Sequence, residues 1–382
     1  MTIPPVSLKL SDERLRVTFR LTGDETEARV KAEDICIEQT VEFPAHLIES
    51  GDIRDKIFGR IESFEQADAT AFTAVISFAV EITGFELKQL INVLYGNVSL
   101  KPGIRVQRVD IPDLLLSSFR GPRFGVDGLR QLTGIPDRPL LCTALKPLGL
   151  SAEQLATQAY QFALGGIDII KDDHSLADQK FAPFAERVSR CGEAIRIANG
   201  ETGYKCMYFP SLTASPDTLI SAATMARNAG AGGLLISPGI IGLDAVRFLA
   251  GSDQVDLPIM SHPAFQGTFV TSVDNGISHG VVFGLLARLA GADASIFPNF
   301  GGRFSFSKSE CTEIADNCLA PMGNIRSIFP TPGGGMSLNR VAEMRATYGD
   351  QAIFLIGGAL HEGSGDLMKN SRMFRRLVEQ GD

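Results

Sequence analysis

Gly165-Gly166-Ile167-Asp168-Ile169-Ile170-Lys171-Asp172-Asp173-His174 starts where two glycines end a helix-like run and passes through a short apolar strand into four consecutive ionisable residues. Side chains alternate between the faces of a strand, so Lys171 and Asp173 point one way and Asp172 the other. His174 falls where the strand gives way to a loop. Charges at the end of an apolar strand need partners or a metal ion to offset lost hydration. Helix, glycine turn, apolar strand and polar strand end together make one β/α unit.

The same unit recurs from Arg138 onward. Strand patterns fall at residues 140–146, 167–173, 204–210, 233–237, 257–262, 294–297, 327–330 and 352–356. Helical patterns fall at 152–164, 182–197, 217–228, 243–249, 281–289, 308–319, 338–347 and 367–379. Ser151, Ser215-Pro216 and Ser337 mark helix starts. Eight β/α pairs in about 240 residues fit a (β/α)8 TIM barrel over residues 126–382, a fold of ~250 residues. A doubly wound open sheet rarely needs eight such units and usually opens on a Gly-rich turn, which is absent.

Residues 1–125 have the pattern of a smaller α+β domain of ferredoxin-like type. Strands are expected at 16–22, 36–41, 71–78 and 106–111, and helices at 25–32 and 86–94. The loop with Gly121-Pro122 is the expected boundary, so the chain reads as α/β overall.

A net charge of −8 argues against nucleic acid or an anionic membrane as partner. No run approaches the ~20 apolar residues of a membrane helix, and residues 1–10 lack a signal-peptide pattern. The six cysteines form no C-x-x-C pair, and Cys36, Cys142 and Cys206 sit in strand-like runs. Buried free thiols and a cytoplasmic location are expected.

A barrel places its chemistry at the C-terminal ends of its strands. Those ends carry Lys146 on strand one, Lys171, Asp173 and His174 on strand two, His262 on strand five and Arg303 after strand six. Gly333, Gly334 and Gly335 follow strand seven, and Gly357 and Gly358 follow strand eight. Phosphate-binding barrels use those two loops, where backbone amides approach the anion unobstructed. The alternative is tight turns needing positive φ. Two carboxylates suit a divalent, oxygen-ligated metal. Lys171 can join them only when neutral or carrying an added carboxylate, as in a carbamate. His174 as a third ligand leaves zinc or manganese open beside magnesium. Lys146 is a candidate proton-transfer group, and His262 is either a substrate contact or a satisfied histidine.

Gly165-Gly166-Ile167-Asp168 with Lys171-Asp172-Asp173 resembles the metal-binding segment of the RuBisCO large subunit. So does Thr143-Ala144-Leu145-Lys146-Pro147, followed by Leu148-Gly149-Leu150-Ser151. Gly96-Asn97, the Gly333–Gly335 loop and Gly357-Gly358 fall in that family's order, and Glu38 resembles its N-terminal-domain glutamate. The resemblance implies Mg2+ held by Asp173 and by Lys171 carbamylated with CO2. It also implies a homodimer with active sites at the subunit interface, Glu38 and Asn97 reaching into the partner's barrel.

Several positions depart from the family. Its third metal ligand is a glutamate, replaced by His174, and Lys146-Pro147-Leu148 lacks the second lysine of its Lys-Pro-Lys segment. His262-Pro263 lacks an arginine, Phe297-Pro298-Asn299 replaces a histidine pair, Arg303 stands for the lid lysine, and Gly333 replaces a serine. One phosphate cradle is kept and much of the carboxylation apparatus is gone, so the resemblance is to a RuBisCO-like protein. Metal-assisted enolate formation is the chemistry expected to survive. The expected activity is decarboxylation or hydrolytic C–C cleavage of a phosphorylated 3-oxo sugar acid. Enolase or isomerase action on a methylthio-ketose phosphate of methionine salvage is the alternative. A non-catalytic binding protein has no need of the strand-end charges and both glycine loops.

Overall fold

Residues Arg14–Thr22 alternate buried and exposed side chains and form β1 of an antiparallel sheet in the computed structural model, which describes residues 3–362 and 364–380. β1 pairs with β3 (Ala71–Ala79) and β4 (Ile104–Asp110), and β3 pairs with β2 (Arg60–Asp68). Helices Glu25–Glu38 and Leu87–Tyr95 follow β1 and β3. The order β4-β1-β3-β2 with the succession βαββαβ is the ferredoxin-like arrangement expected for this part of the chain. A short β10 (Gly276–Ile277) extends the sheet by parallel pairing with β4. This unit comprises Met1–Phe119, Gln266–Val282 and Met322–Ile325.

Two expectations for this unit need correction. Residues 36–41 are not a strand. The first helix runs on to Glu38 because Ala28, Ala32, Ile35 and Cys36 share one buried helical face. The strand that belongs there is β2, whose mostly exposed edge position leaves no apolar alternation to read.

The second unit, Arg120–Phe265, Phe283–Pro321 and Arg326–Asp382, holds eight parallel strands. They are β5 (Leu140–Leu145), β6 (Ile169–Asp172), β7 (Met207–Phe209), β8 (Leu234–Ile236), β9 (Ile259–Ser261), β11 (Ala294–Pro298), β12 (Phe329–Gly333) and β13 (Ile353–Leu355). β13, β5, β6 and β7 form one ladder, and β8, β9, β11 and β12 the other. β7 and β8 are joined through a Ser211–Leu235 bridge. β12 and β13 lie so close that a Cβ on Gly333 would come 2.9 Å from the Leu355 side chain. The eight strands thus form the expected (β/α)8 barrel.

Its interior is filled by Leu140, Cys142, Ile169, Phe209, Met260 and Phe329, among others. Each such side chain contributes on the order of 1.5–3 kcal/mol through burial. Ser151 and Ser307 form capping boxes with Gln154 and Glu310, which fix the starts of helices Ala152–Leu164 and Lys308–Leu319. Ser337 makes no side-chain cap. All six cysteines are buried and unpaired, as expected. Among the described residues, no helix is long and apolar enough to cross a membrane.

Candidate active site

β6 sorts its polar end by parity. Ile169 lies in the barrel core, and Lys171, two residues on, shares its face at the mouth with only 2% of its surface exposed. Lys171 Nζ donates to the carbonyl of Asp172 at 3.1 Å. Burial lowers the pKa of this amine, partly opposed by Cys142 and Asp173. A lysine biased toward the neutral amine is the form that reacts with CO2.

Asp173 is the hub of the mouth. Its Oδ2 accepts from Lys146 Nζ at 2.6 Å and from Ser175 Oγ at 3.4 Å, and its Oδ1 lies 3.2 Å from His174 Nδ1. Burial alone would raise this carboxyl, but the bonds to His174 and Lys146 and the Lys171 charge outweigh it. Asp173 is therefore held well below the usual carboxylate range and stays ionised.

The His174 ring stacks on His262, with centroids 4.5 Å apart. His262 Nδ1 accepts from the Ala264 amide at 3.2 Å, so in the neutral ring Nε2 carries the hydrogen. Burial first, then Lys171 and His174, push His262 well below its ordinary value and favour that neutral form. Lys146 is anchored by Gln158, whose amide donates to the Lys146 carbonyl at 2.6 Å. The Lys146-Pro147 peptide is cis.

Asp172 faces outward into the helix layer. Its carboxylate is fully buried and accepts from Arg187 Nε at 3.0 Å, Tyr208 Oη at 2.7 Å and the Ser211 amide at 3.0 Å. It therefore takes no place in the Lys171, Asp173 and His174 cluster.

The two glycine loops differ. Gly334 and Gly335 have φ of +74° and +110°, and a Cβ on Gly335 would press to 2.9 Å on Gly302. The chain itself demands glycine there, both for the turn and for the close approach of the loop after β11. Gly357 has φ −96°, and a Cβ on Gly358 would meet nothing within 4 Å. Gly357 lies beside the site, because a Cβ there would sit 3.6 Å from Lys146 Cε. Gly357 pairs that φ with a ψ of −105°, which L side chains rarely adopt, so its own backbone calls for glycine, whereas no intrachain contact accounts for Gly358.

Arg303 is exposed and sits over Phe304 at 5.0 Å. In the other unit, Asn97 Nδ2 donates to Glu38 Oε1 at 3.0 Å, and Lys101 Nζ lies 3.4 Å from Glu38 Oε2. That Asn97 bond, then Lys101, lowers the Glu38 carboxyl. Sequence reasoning did not find Ser175, Gln158 or the Arg187 and Tyr208 partners of Asp172, since none belongs to a local motif.

Among the described residues, no three His, Cys, Asp or Glu side chains form a ready metal cluster. Asp173 and His174 supply two donors, and a carbamate on Lys171 would supply a third. That set fits a divalent ion only after the lysine is modified.

The ribulose bisphosphate carboxylase large chain, catalytic domain, matches residues 125–303. The chain is 39% identical to the 5-methylthioribulose-1-phosphate isomerase of Rhodospirillum rubrum, over 95% of each chain. It is 30% identical to a 2,3-diketo-5-methylthiopentyl-1-phosphate enolase of Bacillus pumilus, over 96% of this chain and 92% of the other. The crystal structure of a Rubisco-like protein from Rhodopseudomonas palustris superposes with a TM-score of 0.86 at 35% identity, covering 96% of this chain and 98% of that one.

Proposed function

The chain belongs to the RuBisCO superfamily as a RuBisCO-like enzyme, and from that premise we propose that it moves a proton at the carbon beside the ketone of a phosphorylated ketose. The observation that carries this reading is Lys146 Nζ at 2.6 Å from the ionised Asp173, beside the buried Lys171. Lys146 is the group that exchanges the proton, and Asp173 and Gln158 hold it in place. Neutral His262 presents Nε2–H as a donor to a substrate oxygen. The open backbone at Gly357 and Gly358 receives the single phosphate, within reach of Lys146. Lys171 as a carbamate, with Asp173 and His174, would hold Mg2+, which when bound polarises the carbonyl and stabilises the developing oxyanion.

Both relatives named above act on phosphorylated five-carbon ketones bearing a methylthio group. Leu148, Phe265 and Phe304 are exposed apolar side chains on loops after β5, β9 and β11, a surface suited to such a group. We therefore assign 5-methylthioribulose 1-phosphate as the first substrate to test. A phosphorylated 3-oxo sugar acid would pass through the same kind of enolate and release CO2. Incubation in D2O with Mg2+ and bicarbonate, followed by NMR, separates these. Deuterium at the exchanged carbon or an isomerised ketose supports the reading. CO2 release only from the oxo acid moves the assignment there, and neither result with any substrate ends it.

The active form is a homodimer in which Glu38 and Asn97 of one protomer complete the site of the other. Mixing inactive Glu38→Gln and Lys171→Met proteins tests this, because a shared site regains part of the activity and a self-contained one does not.

A further inference from the structure

The carboxylate of Asp172 and the guanidinium of Arg187 are each 0% exposed, directly outside the strand end that bears Lys171 and Asp173. A buried ion pair of this kind is a poor source of stability, since desolvation offsets the Coulomb gain. Arg187 Nη2 is buried without a hydrogen-bond partner in the structure, a further cost that a pair kept for stability alone would not carry.

What the pair does have is reach. Arg187 Nε binds Asp172 at the end of β6, and Arg187 Nη1 donates to the Ala182 carbonyl at 2.7 Å. One rigid fork thus holds both ends of the segment 173–182, which carries Asp173 and His174. Tyr208 and the Ser211 amide tie the same carboxylate to β7 and the loop after it.

We propose that Asp172, Arg187 and Tyr208 are positioning residues that fix the direction of Lys171, Asp173 and His174 so that the three can share one cation. This rests on the reading of those three residues as the metal-holding centre. A lysine at 187 keeps the charge but cannot bridge two acceptors in this fashion. Loss of such supporting partners typically weakens metal binding by about 10–100-fold.

The test uses the full protein and two mild variants, Tyr208→Phe and Arg187→Lys. Three quantities are measured: Mg2+ affinity by calorimetry in bicarbonate, the 13C carbamate signal of Lys171, and hydrogen exchange across 173–182. The expected result is Mg2+ affinity reduced by about tenfold or more in both variants. The 173–182 amides should exchange faster, while exchange elsewhere in the barrel stays at the wild-type level. Tyr208→Phe removes only a hydroxyl, so it remains informative if Arg187→Lys fails to fold. Mg2+ affinity within twofold of wild type, with unchanged exchange at 173–182, overturns the proposal. Wild-type protein that forms no carbamate and binds no Mg2+ instead refutes the reading of the centre, and the proposal with it. In that case the exchange data still report separately whether the segment is held by the pair.

Discussion

Replacing Lys171 with methionine should abolish activity and yet stabilise the fold. The side chain is 2% exposed, and its Nζ makes one hydrogen bond, to the Asp172 carbonyl. Methionine has a similar length and needs no hydration. Asp173 is not left unpaired, because Lys146 at 2.6 Å and His174 at 3.2 Å remain. Replacement of buried charged groups by apolar ones of similar volume stabilises by roughly 1–4 kcal/mol, so a gain of about 1–3 kcal/mol is expected. The pH dependence gives a sharper test. Burial lowers the amine below its ordinary value of 10.5, so between the folded and unfolded values the unfolded chain binds more protons. Stability therefore rises with pH through that window and is lost as pH falls through the folded value. One proton difference changes stability by about 1.4 kcal/mol per pH unit. With a urea m-value of about 3 kcal/mol/M, that moves the midpoint by about 0.5 M per unit. Urea unfolding followed by circular dichroism at a series of pH values below 10.5, in CO2-free buffer with chelator, measures it. The variant should have a higher midpoint at pH 7 and lack the Lys171 part of the slope. A lower midpoint with an unchanged slope would show that Lys171 is not a desolvated amine.

The remaining predictions concern separate parts of the site. Lys146→Met should cut turnover by about 10²–10⁴-fold with little effect on Mg2+ binding, as read by deuterium exchange and calorimetry. His174→Glu should shift metal preference toward Mg2+ over Zn2+ in competition titrations, since a hard oxygen replaces a nitrogen donor. Gly358→Ala should fold within about 0.5 kcal/mol of wild type while raising KM for the phosphorylated substrate, because its Cβ meets nothing within the chain. Gly335→Ala should instead destabilise by at least ~1 kcal/mol in the same unfolding assay, since φ is +110° and Gly302 is in the way. Asp293 is fully buried, and burial raises its carboxyl to about 6 despite bonds from the Gly125, Ile259 and Phe124 amides. A raised folded value gives stability below the unfolded value of 3.8 that is lost as pH rises through about 6. The loss is about 3 kcal/mol, and Asp293→Asn should remove that part of the pH profile.

The barrel was legible because most of its strands are short apolar runs spaced regularly between helical segments, although residues 281–289 proved to be a buried π-helix and a short α-helix rather than an amphipathic one. The ferredoxin-like unit was less so. β2 presents exposed glutamate, glutamine and aspartate along an edge, and its identity as a strand comes from its seven-pair register with β3 rather than from apolar alternation. Residues 36–41 failed for the opposite reason. Cys36, Ile37 and Val41 suit a strand locally, but the packing of Ala28, Ala32 and Ile35 carries the helix through Cys36 and Ile37 to Glu38, and Val41 lies in the turn that follows.

At the site, side-chain alternation from Ile169 separated Lys171 and Asp173 from Asp172, because parity along a strand is a property of the chain alone. The partners that give those carboxylates different roles were not readable. Arg187 stands fifteen residues beyond Asp172, and Tyr208 thirty-six, so only the fold brings them together. The same holds for the glycines. Sequence could not tell Gly335, which the chain requires for its own packing, from Gly358, which nothing in the chain requires. In the proposed function the phosphate sits at the loop after β13, where Gly357 lies against Lys146 and Gly358 is open. Substrate phosphate bound there would stand next to Lys146, the group proposed to exchange the proton. A single anchor at that point would fix one end of a ketose, and the exposed Leu148, Phe265 and Phe304 on the loops after β5, β9 and β11 suit an apolar group at its other end.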